Sequence, residues 1–507
     1  MYLLVTIDVV LLNVMDSSAE VGAALASTVT YILMAFMEAS RFLRSTGLAA
    51  RELVPGPADL RPRSPRRCDT GVLRKPPVMA RQGMAERGAP RAPRAGGARV
   101  EWISPVRAAS TAARSKGPTM HPVDGYPPCP STEGLGTGPG EAADRILIND
   151  LARHAGSTGS AVQAAVERVL KSGWYVLGEE GESFERDFAD YCGTTHCVGV
   201  ANGTDAIELG LRALGVGAGS RVATVANAGF YTATALLALG AWPVFVDVDR
   251  DTKLMDLAQL RRAVDGERLD AIVVTHLFGL LHDMEAVLAI AARAGVPVFE
   301  DCAQAHGAAR DGRRAGGFGA AAAFSFYPTK NLGALGDGGA VVTGDADVAT
   351  RLRRLRQYGW ESKYRVGPGG GRNSRLDELQ AAVLRAKLPF LDGWNRRRRD
   401  IATRYSREII HPRVRCPPVH GEESVAHLYV VVCDEREVLR ARLAGAGVAT
   451  DVHYPVPDHR QRPLADLGLR QRLAVTDDLA DSIVTLPCYP ELSDAEVARV
   501  ISCINTW

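Results

Sequence analysis

Lys330 stands between a short apolar run and a glycine-rich segment, in the string FSFYPTKNLGALGDGG of residues 324–339. Asp301 ends another apolar run, VPVFED, upstream of it. A lysine that forms a Schiff base and an acid that pairs with a pyridinium nitrogen are the two groups that pyridoxal phosphate chemistry requires from a protein. Because most basic residues of this chain are arginine, a lysine at this point is less easily dismissed as a surface residue. The pair predicts a site for pyridoxal phosphate.

A third segment could hold the phosphate of such a cofactor. Gly203 and Thr204 open a predicted helix within ANGTDAIELGLRALG, and Ser325 ends the apolar run before Lys330. Backbone N–H groups at a helix start, together with hydroxyl groups, suit a dianion. A Gly-Thr pair is common at helix starts, so this prediction depends on the presence of Lys330 and Asp301.

Several residues have a second interpretation. Glu300 is the rival of Asp301, although alternation along a strand sends the two side chains to opposite faces, and Asp301 itself could be an ordinary helix cap. Phe230 or Tyr231 could stack on the cofactor ring or pack in the core. His453 and Tyr454, in the loop DVHYPVPDH, could meet a substrate or form an exposed turn.

Length and composition indicate a multi-unit enzyme of the cytoplasm. A chain of 507 residues is too long for one compact core. Its net charge of +2 gives no general preference for nucleic acid or membrane. The nine cysteines show no CxxC pair or metal-ligand spacing. They therefore favour reduced thiols in the cytoplasm and no metal site.

The first 143 residues differ in character from the rest. Residues 1–37 are apolar in places but are interrupted by Asp8, Asp16 and Glu20, so no span of about 20 apolar residues exists there. Residues 41–140 are rich in Arg, Pro, Gly and Ala, a composition typical of disorder. We expect an extension that is disordered or not part of the native protein; a segment that touches a membrane is the alternative.

From about Ile146 the pattern predicts an α/β fold with a mostly parallel, doubly wound sheet. Apolar runs alternate with helical runs, which is typical of parallel strands with helices on both faces. The predicted strands are HCVGVA, SRVATVA, WPVFVDV, AIVVTH, VPVFED, AAAFSF and GAVVTG. Beyond about Leu376 a long helix or helix pair, the strand HLYVVVC and two more helices predict a smaller α+β unit. Ligands of such sheets bind outside the carboxyl ends of the strands, where Gly203, Asp301 and Lys330 would converge.

Seven strings, in order, resemble the DegT/DnrJ/EryC1/StrS aminotransferases, the sugar aminotransferase group of fold-type-I pyridoxal phosphate enzymes. They are SGWYVLGEEGESFERDFADYCG, ANGTDAIEL, PVFVDVD, VFEDCAQAHGA, FSFYPTKNLGALGDGGAVVT, GRNSRLDELQAAVLRAKL and HYPVPDH. The resemblance implies a large cofactor-binding domain with an N-terminal arm over residues 144–380. A small C-terminal domain would follow over residues 381–507, after an extension of residues 1–143.

The resemblance also implies roles for individual residues. Lys330 would form the Schiff base and move protons, and Asp301 would pair with the pyridine nitrogen. Gln304 would approach the ring hydroxyl, and Tyr231 would contact the cofactor. Gly203, Thr204 and Ser325 would bind its phosphate. Asn373 would reach the phosphate of the other subunit in a homodimer with shared active sites. The residues expected to meet the substrate are Trp174, His453 and Tyr454.

The reaction implied is transfer of an amino group, from an amino acid such as L-glutamate, to a nucleotide-linked keto-deoxysugar in antibiotic or surface-glycan sugar biosynthesis. A sugar dehydratase of the same family is the near alternative, but those members carry histidine in place of Lys330. A transcription regulator with an aminotransferase-like domain is the alternative from another class. It would need a folded DNA-binding module, which the N-terminal composition does not indicate.

Overall fold

The computed structural model describes residues 145–367, 369–469 and 471–507. The predicted extension of residues 1–143, with its possible membrane-touching segment, lies outside them. The helices of the described part are α1 (Leu151–Ser172), α2 (Glu179–Cys192), α3 (Gly203–Ala213), α4 (Tyr231–Leu239), α5 (Leu257–Gly266), α6 (Met284–Ala294), α7 (Ala346–Leu355), α8 (Glu378–Lys387), α9 (Leu391–Glu408), α10 (Arg436–Gly445), α11 (Arg462–Asp466), α12 (Ala474–Ser482) and α13 (Asp494–Asn505). Short 3₁₀ helices cover Leu277–Gly279, Leu388–Phe390 and Asp458–Arg460.

Seven strands form the central sheet: β1 (His196–Val200), β2 (Arg221–Thr224), β3 (Trp242–Phe245), β4 (Ala271–Thr275), β5 (Val298–Asp301), β8 (Ala321–Ser325) and β9 (Gly339–Thr343). Their order across the sheet is β1-β9-β8-β5-β4-β2-β3. Within this sheet β9 runs antiparallel to both its neighbours, and the other pairs are parallel. All seven coincide with the predicted apolar runs, so the mostly parallel α/β fold is confirmed.

Both faces of the sheet are covered by apolar packing. Along β4, Ile272 and Val274 pack in one core cluster, whereas Val273, between them, packs in another. A strand that is buried on both sides needs no polar alternation, which explains why its sequence, AIVVT, is a continuous apolar run.

The C-terminal part has its own smaller core. The antiparallel strands β12 (Tyr429–Val432) and β13 (Ile483–Leu486) pack with α9, α10 and α13 in a cluster that also takes in Ile146. The predicted helix pair is present as α8 and α9. The predicted boundary at residue 380 falls inside α8, where Ala382 packs against α1, and the division into two domains remains a prediction.

Some elements were not predicted from the sequence. Helices α7, α11 and α12 and strand β13 were not predicted, and β13 follows α12 directly, without a turn residue between them. The two remaining sheets are hairpins of very short strands: β6 (Ala309–Arg310) with β7 (Arg313–Arg314), and β10 (Trp360–Ser362) with β11 (Arg365–Val366). Strands this short carry too few side chains to show a period.

Two further observations concern the described ranges. None of the helices in the described ranges is long and apolar enough to span a membrane. The cysteines of the same ranges are all free thiols, as predicted.

The start of β9 allows the loop after β1 to approach the sheet closely. A Cβ atom on Gly339 would lie 2.3 Å from the backbone oxygen of Asn202 and 3.0 Å from the nitrogen of Gly203. Backbone atoms cannot move aside as the end of a long side chain can. A glycine at this position therefore lets the residues before α3 lie against the sheet edge, next to Ser325 at the end of β8.

We predict that Gly339→Ala destabilises the fold by about 1–3 kcal/mol, because the added methyl group overpacks against backbone. The matched control is Gly344→Ala, near the other end of β9, where an added Cβ meets nothing within 4 Å. Urea unfolding of both variants measures the difference. Equal free energies of unfolding for the two variants would contradict the close approach.

Candidate active site

A cavity of about 580 Å³ lies at the carboxyl ends of the sheet strands. Thr275 ends β4, Asp301 ends β5 and Ser325 ends β8, and all three line it. Of the residues predicted from sequence, those that line this cavity are Gly203, Thr204, Tyr231, Asp301, Gln304, Ser325, Lys330, His453 and Tyr454. The predicted convergence at one sheet edge is therefore observed.

One end of the cavity is a cradle of backbone and hydroxyl groups. Asn202 caps helix α3 by accepting a hydrogen bond from the Asp205 N–H, at 2.8 Å. Gly203 and Thr204, the first residues of α3, have N–H groups without acceptors inside the helix. A Cβ on Gly203 would lie 2.6 Å from the Cβ of Ser325, so only glycine allows this contact with β8. The positive end of the helix dipole adds to the attraction for an anion.

Asp301 is 5% exposed and has fewer donors than its carboxylate can accept. Thr275 Oγ1 donates to one oxygen at 3.3 Å, and the Ala303 N–H donates to the other at 3.2 Å. Burial raises the pKa of Asp301, and the hydrogen bond from Ala303 and the charge of Lys330 only partly offset this. A cationic N–H placed in the cavity would complete its coordination and favour its ionised form.

Glu300 points to the other side of β5 and is fully buried. Its carboxylate accepts hydrogen bonds from the N–H groups of Gly316, Phe318 and Gly319 and from His276 Nε2, at 2.6–3.0 Å. Burial alone would raise the pKa of Glu300, but these hydrogen bonds, that of His276 foremost, lower it. Glu300 is therefore fully satisfied within the protein and does not line the cavity, in keeping with the predicted alternation.

Lys330 follows β8 in a tight turn, in which its own N–H donates to the Tyr327 carbonyl at 2.8 Å. Its side chain lines the cavity that contains Asp301. Burial lowers the pKa of Lys330 to about 8, although Asp301 acts in the opposite direction. A substantial fraction of this amine is thus neutral near physiological pH, which is the form that attacks a carbonyl carbon.

Aromatic and amide side chains form another part of the cavity lining. Gln304 is fixed at both ends, since its Oε1 accepts from the Phe278 N–H at 2.7 Å and its Nε2 donates to the Tyr454 hydroxyl at 3.1 Å. The ring of Tyr454 meets that of Tyr231 edge to face, with centroids 6.2 Å apart. Phe230 turns away and packs in a separate apolar cluster. Of the two candidate aromatics, Tyr231 is the one at the cavity.

Two predicted residues lie outside the cavity of their own chain. Trp174 is 62% exposed and donates its indole N–H to the Val176 carbonyl at 2.8 Å. Asn373 is exposed and forms an isolated bridge with Gln357. Neither side chain lines this cavity, and the roles predicted for both residues remain predictions.

Sequence reasoning missed several residues of the site. Asp458 is buried, and it accepts a hydrogen bond from the Phe230 N–H at 2.8 Å, which ties the HYPVPDH loop to the start of α4. The residues that do line the cavity and were not predicted include Asn149, Asn202, Thr275, Asp337 and His427. The N-cap preference could have identified Asn202. The other positions carry no local signal, because their partners are distant in the chain.

The arrangement fits pyridoxal phosphate. The donor cradle at Gly203, Thr204 and Ser325 suits its phosphate, and the carboxylate of Asp301, which has unused acceptor capacity, suits its ring nitrogen. Tyr231 and Gln304 are placed to contact the ring, and Lys330 offers an amine of lowered pKa. These residues would hold the cofactor.

Comparison with known proteins gives the same assignment. The sequence model of the DegT/DnrJ/EryC1/StrS aminotransferase family matches residues 157–505 of this chain. The erythromycin biosynthesis sensory transduction protein EryC1 of Saccharopolyspora erythraea is 46% identical over 68% of this chain and 95% of its own length. The dTDP-3-amino-3,6-dideoxy-alpha-D-galactopyranose transaminase of Aneurinibacillus thermoaerophilus is 45% identical over 68% of this chain and 95% of its own.

A solved structure extends the match to three dimensions. DesV of Streptomyces venezuelae, crystallised with a ketimine intermediate, superposes with a TM-score of 0.69 and 41% identity, over 72% of this chain and 98% of that one. The shared fold, the matched residues and the cavity around Lys330 and Asp301 together lead to one conclusion: the chain belongs to the DegT/DnrJ/EryC1/StrS family of pyridoxal phosphate-dependent aminotransferases.

Proposed function

We propose that this protein transfers an amino group from an amino acid, L-glutamate in the first instance, to a nucleotide-linked keto-deoxysugar. The observation that carries the proposal is the single cavity that contains the low-pKa amine of Lys330, the buried carboxylate of Asp301 and a phosphate cradle. The transaminase relative from Aneurinibacillus thermoaerophilus acts on a dTDP-linked 3-amino sugar, by its name. Sugars with a ketone at carbon 3 are accordingly the first substrates to test.

When bound, the cofactor would supply an electron sink for the reaction at the amino-bearing carbon. Lys330 would hold the cofactor, and its amine is the group placed to take and return the proton at that carbon. Asp301 favours the protonated ring nitrogen because its buried carboxylate is stabilised by a cationic neighbour. Tyr231 and Tyr454 line the cavity, and His453 and Tyr454 would meet the sugar.

The alternatives are less well supported. A dehydratase of this family would carry histidine at the position of Lys330. A regulator would need a DNA-binding module, and residues 1–143 lie outside the described ranges. The free thiols of the described part fit the reducing cytoplasm, where we expect the reaction to occur.

The direct test is to incubate the purified protein with pyridoxal phosphate, L-glutamate and a panel of nucleotide-linked 3-keto and 4-keto sugars. Mass spectrometry then reports the aminated product. We expect one or a few members of the panel to be aminated. Release of a dehydrated sugar without nitrogen would instead support the dehydratase.

We also propose that the protein works as a homodimer with shared active sites. Asn373 is exposed and does not line the cavity of its own chain, as expected for a residue that serves the partner's cofactor phosphate. Large aromatic side chains on the same part of the chain are also exposed, Tyr358 by 41% and Tyr364 by 79%. Exposed aromatic groups of this size are typical of surfaces that contact another protein.

Lys330 is predicted to be the lysine that borohydride links to pyridoxal phosphate, and peptide mass mapping should locate the label there. Lys330→Ala should reduce transamination to background, whereas Lys171→Ala, on the exposed face of α1, should leave it unchanged. In the protein freed of cofactor, the rate of attachment should rise with pH through about 8, because only the neutral amine attacks. A label on a different lysine would refute the assignment.

Asp301→Asn is predicted to retain the cofactor but to lower kcat roughly a hundredfold or more, because a neutral amide no longer stabilises a protonated ring nitrogen. Glu300→Gln is the matched comparison on the adjacent residue. It should lower the melting temperature, because each carboxylate oxygen accepts two hydrogen bonds and the amide NH₂ group that replaces one of the oxygens cannot accept them. Near-normal turnover in Asp301→Asn, combined with inactive but folded Glu300→Gln, would show that the carboxylates are assigned the wrong way round.

Subunit complementation tests the shared site. Lys330→Ala mixed with an inactive Asn373→Asp variant should regain up to about a quarter of wild-type activity after random exchange, since one site of each mixed dimer carries neither defect. The control is Lys330→Ala mixed with Asp301→Asn. These two residues line the same cavity of one chain, so every site keeps one defect and no activity should return. Equal outcomes for both mixtures, with exchange verified, would contradict the shared site.

A further inference from the structure

A chain of buried polar groups runs behind Lys330 and ends at His427. The backbone carbonyl of His306 accepts from Asn395 Nδ2 at 2.7 Å. Asn395 Oδ1 accepts from Asn331 Nδ2 at 2.8 Å, and Asn331 Oδ1 lies 2.9 Å from His427 Nδ1. Asn331 and Asn395 are at most 3% exposed, and His427 is 7% exposed.

The direction of each hydrogen bond in this chain is determined by its fixed end. A backbone carbonyl can only accept, so Asn395 directs its NH₂ group to His306 and its oxygen to Asn331. Asn331 also donates its NH₂ group to the Val425 carbonyl, at 3.1 Å, which leaves its oxygen for His427. His427 Nδ1 must therefore carry the proton. The network assigns the neutral tautomer in which Nε2 holds a lone pair.

Nε2 of His427 is available to accept a hydrogen bond from a ligand. His427 lines the cavity together with Lys330, and within the described ranges its one side-chain hydrogen bond is the one from Nδ1. The ring also stays neutral, because burial lowers the pKa of His427 well below 6.5 and the nearby charges of Lys330 and Arg398 act in the same direction. The imidazole thus presents a hydrogen-bond acceptor, and no donor, to the reacting end of the cavity.

The chemistry of the two substrates decides which of them this acceptor suits. The carboxylates of an amino donor such as glutamate cannot donate a hydrogen bond, and its one donor, the α-amino group, is the group that reacts. Each hydroxyl of a sugar, by contrast, can donate one. We propose that His427 is a specificity-determining residue, whose Nε2 accepts a hydrogen bond from a sugar hydroxyl beside the reacting carbon. This inference rests on the proposed function, since it concerns the sugar half of that reaction.

The first test measures the tautomer without any turnover. In protein labelled with ¹⁵N-histidine, His427, identified by its loss in His427→Phe, should show a protonated Nδ1 and an unprotonated Nε2 at neutral pH. Addition of the keto sugar should shift the Nε2 resonance. A protonated Nε2, or an imidazolium ring, would overturn the inference whether or not the protein proves to be a sugar aminotransferase.

The second test separates the two half-reactions in the cofactor-loaded protein. In His427→Phe, the ratio of kcat/KM for the sugar to kcat/KM for glutamate should fall about tenfold or more, because an acceptor for a substrate hydroxyl is lost. His196→Phe, at the sheet edge outside this cavity, is the matched control. An equal fall in both half-reactions would show a merely structural role for His427.

Substrate analogues make the assignment specific. In the wild-type protein, replacing the relevant sugar hydroxyl by hydrogen should lower kcat/KM for the sugar about as much as His427→Phe does. In His427→Phe, the same replacement should lower kcat/KM little further. Such non-additivity identifies two groups that contact each other. Additive losses for every hydroxyl would overturn the inference, whereas absence of turnover by wild type with any sugar would contradict the proposed function instead.

Asn331→Asp reverses the polarity of the network as an independent check. A carboxylate beside Nδ1 should raise the pKa of His427 and place a proton on Nε2 at low pH. The sugar half-reaction of this variant should then decline more steeply than that of wild type as pH falls through the raised pKa. If Asn331→Asp does not fold, the ¹⁵N spectrum of wild type still decides the tautomer.

Discussion

The whole site depends on how two neighbouring buried carboxylates, at the end of one central strand, are stabilised. Glu300 and Asp301 are adjacent on β5, and the pleat directs them to opposite sides of the sheet. A buried carboxylate without partners costs several kcal/mol, so each must find compensation. The carboxylate of Glu300 is stabilised within the protein, by hydrogen bonds from His276 and three backbone N–H groups. The carboxylate of Asp301 accepts only two hydrogen bonds from the described part of the protein, so the remaining stabilisation has to come from a ligand in the cavity.

At Lys330, too, two adjacent residues direct their side chains to different places. Lys330 turns into the cavity, whereas Asn331 turns back into the protein and joins the network that holds His427. One short turn thus sets both the attachment point for the cofactor and the proton on a histidine contributed by a segment about 100 residues later. Any rearrangement of this turn would alter the two functions together. Lys387 supports the turn from behind, where its ammonium group donates to the Gly333 carbonyl at 2.8 Å.

Sequence patterns predicted the parts of this structure that depend on local chemistry. The buried strands were visible because AIVVT and its counterparts have no polar alternation, and Asp301 was separable from Glu300 because the period of a strand is two. Lys330, Gly203 and Ser325 were found because each adjoins a strand end or helix start. His427 and Asp458 were missed because what gives them a role is a partner far away in the chain, Asn331 in one case and the Phe230 N–H in the other. No period or cap records such a contact.

The span of the cavity along the chain has a thermodynamic consequence. Its lining begins at Ile148 and ends at Cys488, so it exists only when nearly every described element is in place. A ligand that binds only the complete cavity opposes local unfolding anywhere along that span, by an amount that grows with the logarithm of its concentration. The cofactor would therefore act as a clamp on the fold as a whole, and the resistance of the protein to heat and protease would depend on the supply of a vitamin-derived molecule.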